Sequence, residues 1–298
     1  MRAEARREAL SGWLFVAPAL AVLAVFFVGP VAAGFLLGLT DVDLYALGGV
    51  GAWRFVGLRN YGRLLADPIF WQALRNTFFF VLVGGPLTMA AALGAALLLD
   101  AKATRLKGLF RTVLFAPVVT TLVAVATVWR FLYNPRAGPL NLFLSFVGLG
   151  PVNWLGDAQW AMPSLVLMAV WKNFGYGMVL FIAGLQAIPE SLHEAARIDG
   201  AGAWTRFRRI TLPMLRPTLL FVGVITTIGY FQLFAEPYVM TGGTGGPNNA
   251  TLSVALLMYK QGFRFWDMGA GAAIAFLLFL VILGASTLQV RLQKGSDA

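Results

Sequence analysis

Apolar residues along this chain gather into six long runs separated by polar stretches. The runs lie near residues 12–39, 76–99, 109–132, 161–188, 217–240 and 268–290. Each meets the ~20 apolar residues that a helix needs to cross a hydrocarbon core about 30 Å thick. Gly and Pro inside several runs fit this reading, because membrane helices tolerate them better than soluble ones do. The pattern predicts an all-α polytopic membrane protein with six transmembrane helices. The run from Trp13 to Leu39 exceeds the ~7–15 apolar residues of a cleaved signal peptide and is read as a retained span.

Composition sharpens this picture. The 298 residues are 59% hydrophobic and only 12% charged, and mean hydropathy is +0.75. Soluble domains carry about twice that charged share. No cysteine is present and His193 is the only histidine, which excludes thiol chemistry and argues against a metal site. The net charge of +10 is read as the basic bias of cytoplasmic loops, not as a nucleic-acid surface. With the N-terminus inside, 14 of the 23 basic residues fall on the cytoplasmic side, among them Lys102, and 8 fall outside; Lys172 lies within a span. Both termini are therefore expected in the cytoplasm.

The outside loops are roughly 40–75, 133–160 and 241–267. Trp53, Tyr61, Phe70, Trp71, Trp154 and Trp160 in the first two fit either an interfacial aromatic belt or a docking surface for an external protein. The third contains TGGTGGPNN, Thr241 to Asn249. It lacks the Lys-Ser/Thr of a phosphate-binding loop and is read as a turn. No nucleotide-binding motif occurs, so any ATP must be hydrolysed by another chain.

One inside loop, 189–217, is too long and too patterned for a plain link, since helix–helix connections commonly run about 2–8 residues. Ser191 and Glu194 have capping-box spacing, Leu192, Ala195 and Ala196 share a face, and Gly200 can end a helix. A second, amphipathic helix is expected over Ala203–Thr211, with Pro213 and Pro217 breaking the chain after it. A short helix with a flat alanine face suits docking into a groove of a soluble partner.

Glu194-Ala195-Ala196, Asp199-Gly200-Ala201, Phe207, Ile210 and Leu212-Pro213 closely resemble the EAA loop of ABC-importer permeases. Gly57 to Phe80 and Phe231 to Gly246 resemble sugar permeases of the maltose and glycerol-phosphate type, of the MalF-like kind, in a compact six-helix version. The resemblance covers nearly the whole chain. It implies a single permease domain, 1–298, of the type I importer fold in the cell inner membrane. It also implies a homologous second permease, two cytoplasmic ATPases that hold ATP and Mg, an extracytoplasmic solute-binding protein, and no catalytic residue or cofactor in this chain. Glu194, Ala195, Ala196, Asp199, Gly200, Ala201, Leu212 and Pro213 would couple the ATPases to the membrane helices.

Polar groups inside spans cost free energy and need a reason; a charge at a helix centre costs roughly 2.5–3.5 kcal/mol. Lys172 lies ~24 Å above Ile188 and Glu236 ~30 Å above Arg216 if both spans are continuous helices. The two either pair or line a transport path, or do both. Asn173, Tyr176, Tyr230, Gln232 and Tyr238 supply sugar-matching donors and acceptors, and Phe231 and Phe234 could stack on a sugar ring. The resemblance places the membrane sugar site on these parts of spans four and five. Glycerol-phosphate or another polar solute is the alternative cargo. An ion-coupled secondary transporter would leave the EAA segment unexplained. An intramembrane enzyme would need a clustered site that the 13 scattered acidic residues do not supply.

Overall fold

The computed structural model describes residues 2–43, 53–101 and 104–294. Lys102, counted above as a cytoplasmic charge, lies outside the described residues. The chain divides into two compact units, Met1–Asp67 with Met258–Leu277, and Pro68–Leu257 with Leu278–Ala298. Among the described residues there are helices and two isolated bridges but no strand.

In the first unit, α1 (residues 2–38) has an apolar stretch, Leu10–Gly38, none of which is buried in its central window. Its end is tied down by polar contacts. Asn60, on α2 (Arg59–Ala66), donates through Nδ2 to the carbonyls of Gly38 at 3.0 Å and Thr40 at 2.8 Å. These carbonyls have no partner further along α1, so the amide replaces the missing turn. Arg63 fixes Asn60 by donating to its Oδ1 at 2.9 Å, and it lies 3.8 Å from Asp267.

The second unit is built around two long helices, α3 (Pro68–Asp100) and α7 (Ala158–Gln186), which pack along each other. Apolar residues of one α7 face, Met178, Phe181, Ile182 and Leu185, meet Ala92, Ala96 and Leu99 of α3. In lipid this seam gains little from hydrophobicity and rests on close packing, which small residues permit. Glycines on α7 set the approach of three neighbours. A β-carbon on Gly177 would lie 3.0 Å from that of Ala92, one on Gly184 2.6 Å from the Thr218 hydroxyl, and one on Gly175 2.6 Å from the Leu114 carbonyl.

Two of the six expected runs are not single straight helices. The 109–132 run is α4 (Lys107–Val119) and α5 (Leu122–Leu132), bent by 98°, and the short α6 (Pro139–Phe146) follows it. The 217–240 run is α10 (Arg216–Phe231), then a non-helical break, then α11 (Ala235–Met240). Here the cause is local. Pro237 has no N–H to give to the Leu233 carbonyl four residues earlier, and the Ser253 hydroxyl takes that carbonyl instead. The depth estimate for Glu236, which assumed one continuous helix, therefore does not hold. The remaining runs correspond to α1, α3, α7 and α13 (Met268–Lys294).

Between α7 and α10 lie α8 (Glu190–Ile198) and α9 (Ala203–Met214). The capping box is not formed. The helix begins at Glu190 behind Pro189, two residues earlier than the box requires, so Ser191 is already inside the first turn. Glu190 and Glu194 instead face Arg197 at 3.2 and 3.8 Å. Pro213 does not break α9, because a π turn over Phe207–Thr211 absorbs the lost backbone bond; the 66° bend comes after Met214.

Candidate functional site

Within the second unit, α3, α4, α7, α10 and α11 enclose a cavity of about 320 Å³. This lies within the ~300–1,000 Å³ usual for small-molecule sites. Of the residues expected along a substrate path, Asn173, Tyr176, Tyr230 and Glu236 line it. The rest of its polar wall is Thr88 and Thr226, and Phe80, Met89, Val118, Val222, Ile225 and Leu233 supply apolar surface.

Tyr230 is the anchor of this wall. Its hydroxyl lies 2.6 Å from Thr88 Oγ1, and Asn173 also hydrogen-bonds it. Its ring packs on Phe80 with centroids 4.8 Å apart. A β-carbon on Gly84 would come within 3.0 Å of that ring, so the bare backbone of α3 lets the tyrosine in. Gly84 ends a π turn, Phe80–Gly84, that interrupts the regular helix at this point. Thr88 and Thr226 were missed because a Thr in an apolar run carries little signal until a neighbouring helix shows what it faces.

Lys172, Gln232, Phe234 and Tyr238 do not line the cavity. Lys172 donates instead to the carbonyls of Pro117, Val118 and Thr120 at 3.3, 3.4 and 3.1 Å. These sit at the C-terminal end of α4, where the 98° bend leaves carbonyls without helical partners and the helix dipole favours a cation. Among the described residues Lys172 and Glu236 form no ion pair within 4 Å. Lys172 thus acts on the cavity through Val118, whose carbonyl it holds and whose side chain is in the wall. Replacing Lys172 by Met should leave these carbonyls unpaired at a cost of about 2 kcal/mol. We expect the thermal midpoint of the purified protein to fall in Lys172→Met, and to fall less in Lys172→Gln, whose amide can still donate to these carbonyls. An unchanged midpoint in Lys172→Met would remove this role.

Phe231, considered for sugar stacking, is buried against Phe78 at 5.2 Å, edge to face. Phe234 and Tyr238 stack on each other at 5.2 Å. Gln232 caps α10 and is exposed.

The second candidate feature is α8. None of its residues is buried, and Ile198 is 86% exposed. Its end is closed by two crossed backbone bonds, Ala201 N–H to the Ala196 carbonyl at 2.8 Å and Gly200 N–H to the Arg197 carbonyl at 3.1 Å. Gly200 has φ +75°, as this terminator requires. Leu212 and Pro213 fall on α9, and the Trp204 and Phe207 rings stack at 5.5 Å.

Comparison with known proteins identifies the class to which these features belong. Residues 101–296 match the family described as binding-protein-dependent transport system inner membrane component. The chain belongs to this family, the one to which the EAA segment pointed, and it is an integral membrane component of such systems. It is 39% identical to the lactose transport system permease protein LacF of Rhizobium radiobacter over 282 residues, 94% of this chain and 93% of that protein. It is 37% identical to the trehalose/maltose transport system permease protein MalF of Thermococcus litoralis over 289 residues, 97% and 95% of the two. Its fold is also that of a chain in a bacterial ABC transporter for import of the acidic polysaccharide alginate. That match has a TM-score of 0.74 at 21% identity and covers 98% of each chain.

Proposed function

We propose that this chain moves a sugar or small oligosaccharide into the cell as one permease subunit of an ABC importer, with both termini in the cytoplasm. The observation that carries the cargo is the cavity wall. Hydroxyl, amide and carboxylate groups from Thr88, Asn173, Thr226, Tyr230 and Glu236 alternate with apolar and aromatic surface, the mixture that a polyhydroxylated ring needs. The names of the relatives support the same cargo class, since they are permeases of lactose and of trehalose/maltose systems.

The chain's own residues give the mechanism its parts. An external binding protein delivers the sugar toward the cavity that Tyr176 and Glu236 help to line. Two ATPases, which hold ATP and Mg, receive α8 and a matching helix from a second, homologous permease. Closure of the ATPases shifts α8, and α9 and α10 carry that shift toward Tyr230 on the cavity wall. Leu192, Ala195 and Ala196 form the docked face, with Glu194 at its side and Asp199, Gly200 and Ala201 fixing its end. This chain performs no chemistry and holds no cofactor of its own.

The testing experiment is uptake of radiolabelled lactose, maltose and trehalose by cells carrying the full transporter. At least one should accumulate in an ATP-dependent way. Tyr230→Ala should lower that uptake at least ~10-fold, because it removes the ring and the hydroxyl that hold Thr88 and Asn173 in place. Tyr230→Phe should retain more. Uptake of none of the three, or uptake indifferent to Tyr230→Ala, would overturn the reading.

A further inference from the structure

A second cavity, of about 360 Å³, lies in the same unit away from the Tyr230 wall. It is bounded by the first turns of α3, the first turns of α7 and the Gly-rich loop before α12 (Val254–Tyr259). Gln72, Arg75, Asn76, Phe79, Gln159 and Asn248 face it. The loop supplies a fixed wall. Gly242, Gly243, Gly245, Gly246, Asn248 and Asn249 all have positive φ, a conformation open mainly to Gly and Asn. This accounts for the TGGTGGPNN composition. Gln72 donates to the Asn248 carbonyl at 2.7 Å, and Asn76 donates to the carbonyls of Asn249 and Leu252 at 2.8 and 3.0 Å. Both amides are thus oriented by the loop, and their side-chain oxygens remain available as acceptors.

Arg75 is exposed and makes no hydrogen bond or ion pair among the described residues. Its five N–H donors form a fork that suits a pair of neighbouring hydroxyls or a carboxylate. Phe79 offers a partly exposed ring and Gln159 a further amide. Phe79 also directly precedes Phe80 of the Tyr230 cavity, so the two sites are joined by adjacent residues of α3.

We propose that this cavity is an outer saccharide subsite, in which Arg75 and Gln159 hold the hydroxyls of one sugar ring against Phe79 before the sugar enters the Tyr230 cavity. The assignment rests on the sugar-importer reading and on its orientation, which puts this end of α3 and α7 outside.

The absence of cysteine from the chain allows a direct test. Ala158→Cys, in the same wall but given no sugar contact, is placed in the complete transporter in nanodiscs, without binding protein, and labelled with a membrane-impermeant maleimide. The probe is whichever of lactose, maltose or trehalose the uptake assay shows to be transported. Rising probe concentration should slow labelling of this chain about tenfold, as expected when sugar reaches ten times its Kd at the site. A cysteine at the exposed Leu149, which is not in the wall, should label at an unchanged rate. Adding Arg75→Ala should abolish the protection. A labelling rate at Ala158→Cys that ignores the transported sugar overturns the subsite while leaving the importer reading intact. Protection that survives Arg75→Ala removes the assigned role of the guanidinium and overturns the proposal as stated. Uptake of no sugar at all overturns both readings.

Discussion

Gly175→Leu should lower the thermal midpoint of the purified protein more than any other substitution considered. The β-carbon alone would stand 2.6 Å from the Leu114 carbonyl and 3.1 Å from the Phe115 α-carbon. Both are backbone atoms of α4, so no side-chain rotation relieves the overlap. Overpacking costs typically ~1–3 kcal/mol even where side chains can move, and this site belongs at or above the top of that range. About 3 kcal/mol corresponds to roughly 6–12 °C in thermal midpoint for a chain of this size. The consequence reaches the cavity, because α4 carries Val118 and ends in the carbonyls that Lys172 holds. Gly94→Leu is the matched control, since a β-carbon there meets nothing within 4 Å. Thermal unfolding of both purified variants checks this. Equal midpoints would show that α4 and α7 are not packed as described.

Ala195→Arg should have an equally large effect on transport and almost none on folding. No residue of α8 is buried, so the added side chain meets solvent in the isolated chain. At a docking face, a long cation in place of a methyl group blocks close approach and leaves a charge to be desolvated. We expect ATP-driven uptake to fall ~100-fold, or about 2.7 kcal/mol, while expression and thermal midpoint stay unchanged. Loss of stability together with uptake would mean that α8 is held within this chain and is not a docking surface.

The two predictions differ in how far the sequence foretold them. The membrane class follows from apolar runs alone, since a bilayer admits few structures. The α8 features come from short-range signals. Gly200 at a helix end and the spacing to Leu212 and Pro213 are local, and local chemistry is legible in one dimension. The capping box failed at the same level, because the helix is capped at Pro189, two residues before Ser191 could cap it. The broken spans were hidden for a different reason. Apolarity sets only the length that can cross the membrane; Pro237 was a local sign of the break before α11, but the groups that take the freed carbonyls of Thr120 and Leu233, Lys172 and Ser253, come from distant parts of the chain. Lys172 shows the same limit in the site. As an intramembrane charge it was legible as functional or paired, but its partners are backbone carbonyls, which no side-chain pattern reveals. Asn173, Tyr176, Tyr230 and Glu236 were legible by polarity, while Thr88 became visible only through its 2.6 Å contact with Tyr230.

The most direct measurement of the central claim is uptake into proteoliposomes. The chain is purified with the permease and ATPase subunits that accompany it, reconstituted, and given its binding protein and labelled sugar outside and ATP with Mg inside. The account predicts accumulation that requires both internal ATP and the binding protein, and that Ala195→Arg abolishes. Accumulation driven by an ion gradient without ATP, carried by this chain alone, would contradict it.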